Sequence, residues 1–224
     1  MNDVSRETME ACAEALASVL FPARNKEIHR YVDLLRTVGV ERGLIGPREG
    51  DRLWSRHIIN CAVVAEGIPQ VARVADIGSG AGLPGLVLAL TRTDLQMTLV
   101  EPLLRRVRFL EEVVADLDLT TVDVVRSRAE ELHGREAFDV VTARAVAPLD
   151  RLARWALPLC APGGALLALK GGSAAEELAA AAETLDRMGA GPRSVEMFGV
   201  GLVEPATRVV RIESGAGSLG KGRT

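Results

Sequence analysis

The sequence predicts an α/β fold: a mostly parallel sheet with crossover helices and one antiparallel strand, preceded by an N-terminal helical cap. Three observations lead there. From Val71 onward, short apolar stretches alternate with longer amphipathic ones, the pattern that brings strands into one parallel sheet with helices on its faces. A run carrying three alternating glycines, Gly78, Gly80 and Gly82, directly follows the first of those stretches. Ahead of Val71, three stretches carry apolar residues at helical spacing.

The cap, residues 1–66, comes first. Met9, Cys12, Ala13, Leu16 and Leu20 form one apolar stripe, and Ile28, Tyr31, Val32, Leu35 and Val38 form a second that stops at Gly39. A turn-rich link with Gly43, Gly46, Pro47 and Gly50 leads to a third expected helix over 52–66, with Leu53, Cys61 and Val64 inward. In the following domain, 67–213, strands are expected over 71–77, 97–101, 122–126, 138–142 and 165–170. Helices fit between them at 84–90, 105–117, 149–157 and 174–188. Two extended stretches, 194–198 and 208–212, have no crossover helix between them, so they are expected to pair as a hairpin and supply the antiparallel strand. Residues 214–224, rich in Gly, Ser and basic side chains, are expected to form a disordered tail.

A chain of 224 residues suits one such domain with some decoration, and 48% apolar with 25% charged residues excludes a disordered or fibrous protein. No apolar run approaches the roughly 20 residues of a membrane span. The start, with Asp3, Arg6, Glu7 and Glu10, lacks the layout of a secretion signal. A cytoplasmic monomer with no membrane contact is expected. The net charge of −3 excludes a generally basic nucleic-acid surface, so any RNA contact has to be local. With 3% aromatic residues, platforms that stack single-stranded bases are not expected either. Cys12, Cys61 and Cys160 lie far apart without metal-ligand spacing and read as buried thiols, with no metal site.

The most informative segment is Asp76-Ile77-Gly78-Ser79-Gly80-Ala81-Gly82-Leu83-Pro84-Gly85. Its glycines let the backbone turn sharply and approach a ligand, and Pro84 suits the first turn of a helix whose free N–H groups attract an anion. Glu101 ends the second expected strand, where nucleotide-binding α/β folds place a carboxylate on the ribose hydroxyls. Loop and acid together imply an adenosine ligand. Asp76, two residues before the loop, would repel a pyrophosphate but suits the ammonium of an amino-acid moiety. S-adenosylmethionine carries that ammonium, a carboxylate for the helix start and a ribose for Glu101, and its adenine would lie by the third strand.

From Arg56 to about Gly171 the sequence resembles the bacterial 16S ribosomal RNA guanine methyltransferase G family, also called glucose-inhibited division protein B. The resemblance rests on Arg56-His57, on the glycine segment ending Leu83-Pro84-Gly85, and on Arg105-Arg106-Val107-Arg108-Phe109-Leu110. Ser127-Arg128-Ala129-Glu130, Arg144-Ala145 and Leu169-Lys170-Gly171 complete it. It departs at Asn60-Cys61, where the family usually has an Asp-Ser pair. The resemblance implies a class I S-adenosylmethionine-dependent methyltransferase fold of the Rossmann-like kind and transfer to nitrogen 7 of a guanosine in 16S ribosomal RNA. It also implies cofactor contacts at Gly78, Leu83, Ala129, Glu130 and Arg144, beside Asp76, Gly80 and Glu101 read from the loop and strand. Such a ring nitrogen has an in-plane lone pair and no proton, so alignment matters more than a base. In keeping with that, Thr142-Ala143-Arg144-Ala145 stands where amino-group methyltransferases carry Asn/Asp-Pro-Pro-Tyr/Phe. Arg144 and Lys170, at strand ends on the carboxyl edge, are the candidates for catalysis and RNA engagement. The substrate would be RNA within the small ribosomal subunit, recognised by its folded shape. Methyltransferases of this fold also act on small molecules and proteins, since fold does not assign substrate.

Overall fold

A computed structural model describes residues 3–46 and 48–215. The first part is helical: α1 (Asp3–Ala15), α2 (Ala17–Leu20) and α3 (Asn25–Leu34), which widens into a π-type turn at Leu35–Gly39. The third expected helix is a succession of irregular turns. A 3-10 turn at Gly50–Arg52 and a π turn at Trp54–Ile58 lead into α4 (Ile59–Ala62), and a second 3-10 turn, Val63–Gly67, closes it. Two contacts explain the irregularity. The Asn60 side-chain amide donates to the Ser55 carbonyl at 2.9 Å and competes with the regular ladder. Glu10 of α1 accepts the N–H groups of Trp54 at 2.6 Å and Ser55 at 2.9 Å, donors that a helix start leaves open.

The sheet domain runs β1 (Arg73–Ile77), α5 (Gly85–Thr91), β2 (Gln96–Val100), α6 (Leu104–Asp116), β3 (Val122–Val125), β4 (Phe138–Arg144) and α7 (Leu149–Ala156), then β5 (Cys160–Lys170), α8 (Ala174–Arg187), β6 (Arg193–Phe198) and β7 (Thr207–Glu213). The seven strands lie in the order β3-β2-β1-β4-β5-β7-β6. β7 is antiparallel to both its neighbours, and the pairs among β1 to β5 are parallel. The expected hairpin therefore supplies the one antiparallel strand.

Several boundaries moved, each for a local reason. β1 starts at Arg73 and not at Val71, because Val71 adopts φ +55° and its N–H turns to the Asp94 carboxylate. β4 continues past Thr142 because Ala143 and Arg144 remain in register with Ala168 and Leu169. β5 begins early, at Cys160, which pairs with Phe138 across a bulge. Ser214, expected to open the disordered tail, is buried; its N–H donates to the Gly164 carbonyl and its hydroxyl to that of Ala161. The tail from 216 lies outside the described residues. Cys12, expected to be a buried thiol, is exposed, being about 100° round α1 from the inward Ala13. Cys61 and Cys160 are buried, and burial pushes their thiols up to about 11 and about 12. Among the described residues no helix is long and apolar enough to cross a membrane.

The sheet separates two apolar layers. One joins the N-terminal helices with α5, α6, Val74, Val140, Leu167 and Leu169. The other joins α7 and α8 with Ala75, Ile77, Val141, Ala143, Leu166 and Ala168. Strand alternation then decides where the polar residues face. Asp76, Thr142 and Arg144 share the face of Val74 and Val140, toward the N-terminal helices. Lys170 shares the face of Leu166 and Ala168, toward α7 and α8.

Candidate active site

The glycine segment turns sharply off the end of β1. Gly78 N–H donates to the Val100 carbonyl at 2.8 Å, which holds the loop beside β2, and Gly82 and Leu83 N–H both return to the Ser79 carbonyl. Gly78 has φ +67°, and a Cβ there would stand 2.9 Å from a methyl of Val146. Only glycine meets both conditions. From the N-terminal layer, the buried Tyr31 hydroxyl donates to the Ala81 carbonyl at 2.7 Å, so α3 pins the outside of the loop.

Asp76 holds this loop from within. Wholly buried, it accepts the Gly85 N–H at the start of α5 at 3.1 Å and the Thr142 hydroxyl at 3.1 Å. Burial pushes its carboxyl up to about 7, against the pull of those donors. One oxygen thus ties to the start of α5 and the other to β4. Leu83, also buried, packs into the layer of the N-terminal helices.

Beside the loop, at the carboxyl edge of β1, β2 and β4, lies a cavity of about 520 Å³. That is ample for an adenosine-sized ligand. Gly78, Glu101, Ala129 and Glu130 all line it, so four of the expected contact residues converge. Glu101 follows β2 and is 1% exposed; one oxygen accepts Gly80 N–H at 3.0 Å, the other Leu103 N–H at 3.0 Å, and the Arg106 guanidinium stands 3.5 Å away. A carboxylate offers about four lone-pair sites, so each oxygen can still accept a ligand hydroxyl. Gly80 takes part through that bond to Glu101. Trp155 of α7, Val146 and Leu103 also form the wall. No motif pointed to them; Leu103 follows Glu101 closely, but Trp155 and Val146 arrive only through tertiary folding.

Arg144 does not line this cavity. Its guanidinium reaches into the N-terminal layer, 2.7 Å from His57 Nδ1 and 3.7 Å from the Cys61 sulfur. Because a guanidinium only donates, His57 Nδ1 is the acceptor, and Nε2–H donates to Glu49 at 2.8 Å. Burial and the Arg144 charge lower the His57 pKa to about 4, so the ring is neutral. Arg56 stands 3.2 Å from the same Glu49 carboxylate. The residue after Arg144, Ala145, has φ +55°, a sparsely populated conformation for alanine, and opens the loop 145–148.

Lys170 borders a second cavity of about 460 Å³, lined by Ala145, Val146, Ala147, Pro148, Lys170 and Glu177. Its ammonium donates to the Ala147 carbonyl at 2.9 Å and pairs with Glu177 at 2.7 Å. Arg105 and Arg108 of α6 are exposed.

Known proteins place this arrangement in a lineage. The profile of the family described as rRNA small subunit methyltransferase G matches residues 24–204. Over 203 residues the chain is 59% identical to a ribosomal RNA small subunit methyltransferase G from Salinispora tropica, covering 88% of this chain and 84% of that protein. A relative of the same name from a Nocardioides species is 54% identical over 211 residues, 94% of this chain and 84% of that one. Among solved structures, a methyltransferase from Pyrococcus furiosus aligns with a TM-score of 0.55 at 16% identity, over 70% of this chain and 83% of that one. A SAM-dependent O-methyltransferase from Thermotoga maritima gives 0.53 at 12% identity, over 70% of this chain and 65% of that one. At those identities the likeness is one of fold, that of class I methyltransferases.

Proposed function

The chain belongs to the rRNA small subunit methyltransferase G family, and on that premise we propose that it transfers a methyl group from S-adenosylmethionine to nitrogen 7 of a guanosine in 16S ribosomal RNA. It does so as a cytoplasmic monomer acting on RNA within the small ribosomal subunit. The observation that carries the reading is the cavity beside Gly78, closed on one side by a buried carboxylate whose remaining lone pairs suit a ribose diol. Glu101 would hold the ribose, the Gly78 backbone would border the amino-acid end, and Ala129 and Glu130 would flank the adenine.

When bound, the cofactor supplies an electrophilic methyl group on a sulfonium. The target nitrogen brings its own lone pair and loses no proton, so the protein's work is alignment. Asp76 contributes by fixing the start of α5 and the glycine loop to β4. Arg144 contributes as a positioning residue that anchors the end of β4 just before Ala145, on the wall shared by both cavities.

Mass spectrometric mapping of 16S ribosomal RNA tests the reading. Cells lacking the gene should lose one 7-methylguanosine, and purified chain with S-adenosylmethionine should restore it on their small subunits. Unchanged modification in those cells would overturn it. For the cofactor, Glu101→Ala should weaken binding by about 1–3 kcal/mol, since ribose hydroxyls lose a buried charged acceptor. Calorimetry showing an unchanged dissociation constant would remove Glu101 from the site.

A further inference from the structure

We propose that the second cavity receives the target guanine, and that Lys170 and Glu177 together read its Watson–Crick edge. This rests on the methyltransferase reading above. The cavity is placed for it. Ala145 and Val146 line both cavities, so the two adjoin at the loop after β4.

The chemistry of the lining is a donor beside an acceptor. An ammonium has three N–H bonds to give. Lys170 uses one on the Ala147 carbonyl at 2.9 Å and one on Glu177 Oε2 at 2.7 Å, which leaves a third. Glu177, in the first turn of α8, accepts from Lys170 on Oε2 and from the Ser173 hydroxyl at 3.3 Å on Oε1, and keeps free lone pairs on both oxygens. The Lys170 side chain is 10% exposed and that of Glu177 30% exposed, so a ligand reaches the pair from the cavity.

Guanine is the base that matches this order. Its edge presents the O6 acceptor next to the N1–H and N2–H donors, so O6 faces the ammonium while the two donors face the carboxylate. Adenine presents the reverse, an amino donor followed by a ring-nitrogen acceptor, and would set like against like at both positions. With N1–H and N2–H held by Glu177 and O6 met by Lys170 from its N1 side, nitrogen 7 lies on the imidazole side of the ring, open to methylation. The bonds are charge-assisted and partly shielded from water, conditions under which they discriminate strongly.

A purely structural clamp, Lys170 pinning Ala147, would not depend on the base, and the test uses that difference. Small subunits are reconstituted with guanosine or with inosine at the methylated position; inosine keeps O6, N1–H and nitrogen 7 but lacks the 2-amino group. The unaltered enzyme should prefer guanosine by about tenfold or more in kcat/KM. In Glu177→Ala that preference should fall to near unity, while calorimetry gives an unchanged S-adenosylmethionine affinity. Glu177→Gln, which keeps the side-chain shape, should show a reduced preference as well and guards against a folding defect. A preference retained in variants that bind cofactor normally, with both bases slowed equally, would overturn the proposal and leave only the clamp. Absence of transfer to guanosine by the unaltered chain would overturn the methyltransferase reading itself, and this inference with it.

Discussion

A Gly78→Val chain is expected to fold and to lose measurable S-adenosylmethionine binding. The backbone there has φ +67°, and an L side chain in that region costs about 1–3 kcal/mol, more for a β-branched one. The first added carbon stands 2.9 Å from a Val146 methyl, so either Val146 or the loop has to move. Both line the cavity, and any rearrangement that relieves the contact reshapes the wall the cofactor needs. Global stability of about 5–15 kcal/mol absorbs that strain. Calorimetry should then register no heat of binding while circular dichroism stays native. Normal affinity in a folded variant would separate the glycine loop from cofactor binding.

Arg144→Ala is expected to lower the rate of methyl transfer about 100-fold, the scale on which a misplacement of about 1 Å acts. The guanidinium joins the last residue of β4 to His57 and Cys61, and the strained Ala145 follows at once. Without that anchor the loop 145–148 can relax. Arg144→Lys should not restore the rate, because one ammonium cannot reproduce the two-pronged contact. The pH dependence of stability gives an independent readout. His57 is depressed from 6.5 to about 4, first by burial and then by Arg144. A histidine lowered in the folded state contributes fully above about pH 6.5 and loses that contribution as pH falls toward about 4. Removing Arg144 raises the folded value and narrows the window. The variant should therefore lose less stability than the unaltered chain between about pH 7 and about pH 4.5, measured by urea midpoints. An undiminished rate would remove Arg144 from the transfer machinery.

What could be read from residues alone was what local chemistry dictates. Alternating glycines after an apolar strand, an acid at the end of the next strand and two extended stretches without a crossover each carry their meaning in a few neighbouring positions. The helical stripes of the N-terminal part were equally plain, but their regularity was not, since it depends on Asn60 and on Glu10, the latter 44 residues from Trp54. Arg144 and Lys170 were placed at strand ends. Which way each side chain leaves the sheet follows from alternation against Val140 and Leu166, a period-2 signal that becomes usable once the layers on either side are known. Trp155 and Val146 had no signal at all, because a cavity wall is assembled by packing between distant elements.

The Glu10 carboxylate gives the first helix a reach that its position in the chain conceals. The family model matches from residue 24, so α1 precedes the matched span. Yet the two N–H groups Glu10 accepts begin the turn that carries His57, and His57 is the partner of Arg144. A chain trimmed to residue 24 would leave those donors uncapped at the far end of a three-link tether, Glu10 to Trp54 and Ser55, His57 to Arg144, Arg144 to the loop at the cavity wall. The helix that opens the chain is thus mechanically continuous with the loop that walls the cavity.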